Sequence, residues 1–188
     1  MDFLNEVTAC NFCSGKLPLG IRPLIQYGAN AKVVIIGQAP GRLAHESGIP
    51  WNDASGRTLR KWLDVSDTDF YNPELFSIFG MGLCYPGKGK SGDLPPVPQC
   101  AGFWHKGLIS ELRSDPLILL IGQYAQRYYL KEAFKGNLTS TVQNYRGFAP
   151  RFFPLPHPSP RNQYWLKKNP WFMEETIPYL RMLLKEMI

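Results

Sequence analysis

Two loops of this 188-residue chain carry residue types that can do chemistry together. One begins Gly37-Gln38-Ala39-Pro40-Gly41 and runs on to Gly48-Ile49-Pro50-Trp51-Asn52-Asp53-Ala54-Ser55-Gly56; the other reads His157-Pro158-Ser159-Pro160-Arg161-Asn162. Glycine and proline constrain the path of both loops, and one offers a carboxylate where the other offers an imidazole. Such a pair suits a reaction in which positive charge grows on one side of a substrate and negative charge on the other. Hydrolysis of an N-glycosidic bond is a reaction of this kind, because the sugar becomes cationic while the departing base takes the electron pair. Asp53 is the candidate for positioning the attacking water and stabilising the sugar, and His157 for donating to an oxygen of the base. Backbone groups around Gln38 and Ala39 would complete a pocket, and Trp51 stands in the same loop. Each residue also has a plainer use. Asp53 stands where an N-cap of a helix near Gly56 is expected, His157 can cap a turn, and Trp51 can pack in a core.

All four cysteines fall into one pattern. Cys10 and Cys13 form a C-x2-C pair, seventy residues separate Cys13 from Cys84, and fifteen separate Cys84 from Cys100. In a chain expected to be intracellular, thiols so arranged point to a metal or cluster rather than to disulfides. Thiolates suit tetrahedral zinc and iron–sulfur clusters alike, and spacing does not choose between them. The stretch between the last two reads CYPGKGKSGDLPPVPQC. Gly89-Lys90-Ser91 has the spelling of the second half of a phosphate-binding loop, but Cys84 stands where its first glycine is required. Pro95, Pro96 and Pro98 are expected to bar the helix that such a loop must open. The stretch is therefore expected to be a proline-stiffened loop closed by two ligands, with its lysines facing solvent or phosphate.

The elements that must position these loops show in the apolar runs. Residues 31–37, 75–79 and 116–122 have the length and side-chain type of buried strands, and 151–155 reads as a shorter, proline-interrupted edge or strand end. Helical patterns lie at 56–63, 101–112, 123–130 and about 171–187. Strands alternating with helices predict a three-layer α/β/α fold around a central, mostly parallel four-stranded sheet. Ligands in such sheets sit beyond the carboxyl ends of the strands, which directs attention to the loops after Gly37, Phe79, Gly122 and Leu155. No domain boundary shows, so 1–188 is read as one domain, the C-x2-C segment docked on it through the metal group.

A net charge of +6 and a sequence pI near 9.2 suit a polyanionic partner. There is no run of about eighteen apolar residues, and the acidic start MDFLNEVTAC does not read as a leader. The expectation is a monomer in the cytoplasm of a bacterial or archaeal type of cell. His45 and His105 attract no role.

The motifs, in their order along most of the chain, resemble the uracil-DNA glycosylase superfamily, particularly its iron–sulfur branches. Gly37 to Gly41 is similar to the first motif, Gly48 to Trp51 to a G-x-P-F segment, Asp53 to Gly56 to a G-D-x-S-G segment, and His157 to Asn162 to the second motif. The resemblance implies a monofunctional glycosylase that removes uracil or a related deaminated base from DNA. It also implies a [4Fe–4S] cluster on Cys10, Cys13, Cys84 and Cys100, with zinc as the alternative occupant. It implies further that Gln38 shares the positioning of water with Asp53, that Trp51 stacks on the flipped base, that Ser159 presses on the backbone beside the lesion, that Arg161 fills or braces the gap left by the flipped nucleotide, and that Asn162 is among the substrate-binding residues. The basic, aromatic segment from Arg161 through Tyr164, Trp165, Lys167 and Lys168 would follow the phosphates. One departure bears on specificity. Many relatives carry an asparagine that reads the edge of uracil where this chain has Gly80, so the expectation is uracil read through backbone groups, another deaminated base, or no base at all. The rival readings are a non-catalytic iron–sulfur protein that binds or senses damaged DNA, and an enzyme of free nucleotides using the same crevice.

Overall fold

The apolar runs form one sheet. In the computed structural model, which describes residues 3–112 and 115–188, β1 is Val33–Gly37 and β2 is Phe76–Gly80. Strands β3 (Lys88–Gly89) and β4 (Gly92–Asp93) make a separate small hairpin. β5 (Leu117–Ile121) and β6 (Phe152–Leu155) complete the main sheet, whose order is β2-β1-β5-β6 with every neighbouring pair parallel. β6 is an edge strand, where Pro154 can be tolerated because its missing N–H faces no further strand.

Side chains alternate across each strand, so the same runs feed two cores. Val33, Ile35, Phe76, Ile78, Leu117, Leu119 and Ile121 face one side. There they meet Leu59, Trp62 and Leu63 of α3 (Ala54–Leu63) and Ile177, Leu180 and Leu184 of α9 (Ile177–Met187). Val34, Ile36, Phe79, Ile118 and Leu120 face the other side. Their partners are Val7 of α1 (Phe3–Thr8), Ala101 and Leu108 of α5 (Pro98–Ser110), and Ala125 and Leu130 of α6 (Gln123–Leu130). Burial on both faces is why the central strands read as unbroken apolar runs, and it gives the expected three layers.

The remaining helices are short: α2 (Arg42–Ser47), α4 (Asp67–Phe70), α7 (Leu138–Gln143) and α8 (Gln163–Lys168). α9 is preceded by a π-helical turn over Phe172–Thr176. Pro178 explains it, since its ring cannot accept a normal helical neighbour at the preceding carbonyl and the wider turn relieves the clash. Among the described residues no helix is long and apolar enough to cross a membrane.

Two expectations for residues 84–100 need correction. The segment is not a plain loop, because Lys88–Gly89 and Gly92–Asp93 pair as antiparallel strands. Nor do its prolines exclude a helix, since α5 opens with Pro98 in its first turn, where the missing N–H would have had no intrahelical partner. The phosphate-loop reading still fails, because that helix begins well after Ser91.

Candidate functional site

β1 sends the chain to β2 on one side and later elements to β5 on the other, so the crevice at its carboxyl end is the switch point of the sheet. The loop after β1 and that after β2 are stitched together there: Met81 N–H donates to Gly37 O at 2.9 Å and Gly82 N–H to Gln38 O at 3.0 Å. A cavity of about 460 Å³ opens at this point. Gln38, Ala39, Trp51 and Asp53 line it from one side, Gly80 forms part of its floor, and His157, Ser159 and Arg161 close it from the other. Its size falls within the range of about 300–1,000 Å³ usual for small-molecule sites. The loop after β5 takes no part, because Gly122 leads directly into α6 and none of its described residues line the cavity.

Asp53 is placed for both of the uses its type suggests, capping a helix and offering a carboxylate oxygen to the cavity. It is the N-cap of α3, its Oδ1 accepting from Gly56 N–H at 2.8 Å. Its Oδ2 faces the cavity, 3.6 Å from where a Cβ on Gly41 would lie. Gly56 must be glycine for this turn, since a Cβ there would come within 1.7 Å of Trp51 O. Trp51 itself has φ +57°, a left-handed conformation that costs a bulky residue energy and is found where surrounding structure enforces it. Its indole lies against Gly37, where a Cβ would sit 2.9 Å from Cζ2, and stacks beside His157 with ring centroids 5.5 Å apart at 28°.

Burial pushes the His157 imidazole below its usual pKa, with the nearby Asp53 charge opposing the shift. The ring is thus neutral at neutral pH, with one N–H to donate and no full charge to neutralise. Asn162 does not line the cavity; its amide donates to His157 O at 2.6 Å and holds that loop's backbone. Ser159 accepts from Arg161 N–H at 3.2 Å as the cap of a short 3₁₀ turn, and the Arg161 guanidinium donates to Ser91 O at 2.5 Å, tying this loop to the β3–β4 hairpin.

Gly80 has no room for a side chain. A Cβ would lie 2.6 Å from Gly82 O and 3.0 Å from Ala39 Cα, so backbone occupies the space that an asparagine side chain would need. His105, given no role from its sequence context, braces this floor. It is 1% exposed, and its Nε2 lies 3.0 Å from Gly80 O while its Nδ1 lies 2.7 Å from Tyr129 Oη. The carbonyl can only accept, so the ring carries its proton on Nε2 and accepts from the tyrosine.

The hairpin brings in groups that the sequence reading missed. Asp93, at the exposed rim, lines the cavity with Gly92. The buried Tyr85 hydroxyl stands close enough to the Asp93 carboxyl to favour its charged form. The signal available was the Gly89-Lys90-Ser91-Gly92 turn, with glycines flanking a two-residue connection, which can fold a hairpin back over the preceding loop. Lys88 and Lys90 on it are exposed, as are Lys167 and Lys168 on α8. Tyr164 is exposed beside Lys168, whereas Trp165 turns inward and donates from Nε1 to Thr139 Oγ1 at 2.8 Å.

Cys10, Cys13, Cys84 and Cys100 line a second, much smaller cavity of about 20 Å³, with Phe12, Phe103 and Trp104 among its walls. All four are free thiols. Among the described residues no three His, Cys, Asp or Glu side chains already stand as a ligand set for a single ion. The donor chemistry nevertheless suits a thiolate-bound group: Leu83 N–H points at Cys100 Sγ, 3.3 Å away, and the Arg22 backbone points at Cys84. Burial pushes the Cys84 thiol up to about 11, with the other three cysteines adding to the rise, so these sulfurs become thiolates together only with cationic charge between them. Apolar packing also holds the first segment in place. Val7 is fully buried, and Phe3 lies so close to Gly107 of α5 that a Cβ there would overlap its ring.

A family model described as the Uracil DNA glycosylase superfamily matches residues 25–181. That span takes in all the cavity-lining residues except Leu24, together with Cys84 and Cys100, and leaves Cys10 and Cys13 outside it.

Proposed function

Because the chain belongs to the uracil DNA glycosylase superfamily, a family of glycosylase-type hydrolases acting on DNA, we propose that it is a monofunctional glycosylase of uracil or a related deaminated base. The observation that carries the proposal is the meeting of Asp53 and His157 in one strand-end cavity. Asp53 Oδ1 is fixed by the Gly56 amide, which leaves Oδ2 aimed and available. A water held there attacks C1′ of the flipped nucleotide; the new C1′–O bond forms as the C1′–N bond breaks with its electron pair leaving on the base, and the water's proton passes to carboxylate. The neutral His157 donates to the base oxygen on which that charge collects. A single such donor in a preorganised site is worth about 10²–10³ in kcat. The carboxylates and the imidazole facing the cavity activate water, and no lysine is among the described residues that line it, so the product is an abasic site in an intact strand.

The other roles follow from position. Trp51 gives the base a flat wall, and the backbone of Gln38, Ala39 and Gly80 meets its edge. Gln38 is tethered through its amide to Leu94 O at 3.2 Å, so its backbone rather than its side chain is the part presented. Ser159 and Arg161 stand at the rim to meet the DNA backbone, with Asn162 acting through the His157 carbonyl. One chain supplies every group, so a monomer suffices. Cys10, Cys13, Cys84 and Cys100 would hold a [4Fe–4S] cluster, zinc being the alternative occupant, and the bound group would cross-link the N-terminal segment to the loop at Leu83–Cys84 and to α5.

The test is cleavage of end-labelled oligonucleotides carrying uracil, hypoxanthine or xanthine, single-stranded and paired, followed by alkali. Asp53→Asn keeps an N-cap of equal quality, so the helix is preserved while the carboxylate is lost; His157→Ala removes the donor. Abasic sites that both variants sharply reduce support the reading. Binding without release of any base would sink it in favour of a non-catalytic protein that senses damage, and turnover of free nucleotides with little DNA affinity would favour the nucleotide enzyme. A brown protein whose visible absorbance is bleached by dithionite supports the cluster, whereas a colourless protein carrying zinc overturns it.

A further inference from the structure

Glycosidic hydrolysis needs one carboxylate near the water, yet the cavity has two. Asp53 Oδ2 and Asp93 Oδ2 each lie 3.6 Å from the point above Gly41 where a Cβ would sit, so the two oxygens are no more than twice that distance apart. They come from separate elements, Asp53 from the cap of α3 and Asp93 from β4 of the hairpin. Gly41 leaves the space between them open. Two acceptors converging on an open point are arranged for a donor of two hydrogen bonds, and water is the smallest such donor.

Building on the proposed glycosylase reaction, we propose that Asp93 is a second catalytic carboxylate, which with Asp53 holds the attacking water above Gly41. The water donates one hydrogen to each aspartate and directs a lone pair at C1′. As the C1′–O bond forms and the C1′–N bond breaks, one water proton moves to a carboxylate, the other stays on the new hydroxyl, and the electron pair departs with the base. Both carboxylates face the sugar as it becomes cationic.

Three features hold Asp93 to this task. The Tyr85 hydroxyl stands beside its carboxyl and favours the charged form. The hairpin is tied to the second catalytic loop by Arg161, and Gly92 supplies a φ of +149° there that side-chain-bearing residues rarely adopt. Partial burial raises the Asp93 carboxyl above the ordinary aspartate range; Arg161 and Tyr85 oppose the rise, Asp53 adds to it, and Lys88 opposes it. A carboxylate shifted in that direction is a stronger base than a free one.

Two variants separate the idea from a folding effect. Asp93→Asn keeps the size and shape of the side chain and removes the base. Gly41→Ala places a methyl at the water's position, in ordinary contact with both oxygens, at a residue whose φ of −78° suits any side chain. Single-turnover excision and DNA affinity by anisotropy are measured on the same oligonucleotide for wild type and both variants. Each variant is expected to release base about 10²-fold more slowly, with Kd within about threefold of wild type. Wild-type release with an Asp93→Asn variant that keeps pace overturns the role of Asp93 and leaves the glycosylase reading standing. The role falls equally if the variant keeps pace and binds DNA more tightly, which would make Asp93 a repeller of phosphates. A wild type that releases no base defeats the parent reading, and the role of Asp93 falls with it.

Discussion

Acid should loosen the floor of the cavity through His105. This imidazole is 1% exposed, donates from Nε2 to Gly80 O and accepts at Nδ1 from Tyr129. Burial pulls its pKa from 6.5 to about 4, with the Gly80 hydrogen bond opposing the fall. The sign follows from proton counting. Between those two values the unfolded chain binds a proton that the folded chain refuses, so stability declines as the pH falls below 6.5 and levels off near 4. The difference of about 2.5 units corresponds to about 3 kcal/mol in full, of which about 2 kcal/mol is lost between pH 7 and pH 5. Such a loss is a sizeable share of a typical domain's total of about 5–15 kcal/mol. His105→Gln retains an amide donor for Gly80 O but does not titrate. Urea unfolding of both proteins at pH 7, 6 and 5 therefore isolates the residue, because the other histidines and the thiols contribute equally to each. The wild type should lose about 2 kcal/mol more than the variant over that interval. Parallel losses would refute the reasoning, showing that His105 is not held neutral by its burial.

Further outcomes follow from the same geometry. Gly80→Asn, which restores the amide carried by relatives, should destabilise the fold by about 1–3 kcal/mol in thermal or urea unfolding, since its Cβ meets Gly82 O at 2.6 Å. It should bring no gain in discrimination for uracil; a variant of native stability with sharpened selectivity would show that the floor can open. Arg161→Ala should reduce the slope of log affinity against log salt by about 1 while leaving base preference unchanged, as expected of a phosphate contact. An unchanged slope would confine Arg161 to holding the hairpin through Ser91 O.

What the sequence discloses here depends on how local the controlling interaction is. Val33–Ile36 and Leu117–Ile121 announce themselves because burial on both faces demands an apolar residue at every position, and α3 because Leu59, Trp62 and Leu63 recur at helical spacing. The two chemical loops show through their glycines and prolines, whose backbone demands are written in residue type: Gly37 admits the Trp51 ring, and Gly56 admits the Trp51 carbonyl. The hairpin offers only the glycines that flank Lys90-Ser91, since two-residue strands have no period to detect and Gly-Lys-Ser-Gly also reads as a solvated turn. Its register over the cavity is decided by Arg161, seventy positions away, donating to Ser91 O. Likewise nothing near His105 announces its contact with Gly80, which arises because α5 packs across the end of β2. Asp93 is hidden for the same reason: its approach to Asp53 is set by the fold, not by its neighbours in the chain. The local motifs thus specify which chemistry is present, while the hairpin and α5 determine how closely the space around it is defined. Substitutions at Asp93, Gly41, Gly80 and His105 therefore test the assembled cavity in a way that changes to the motif residues alone cannot.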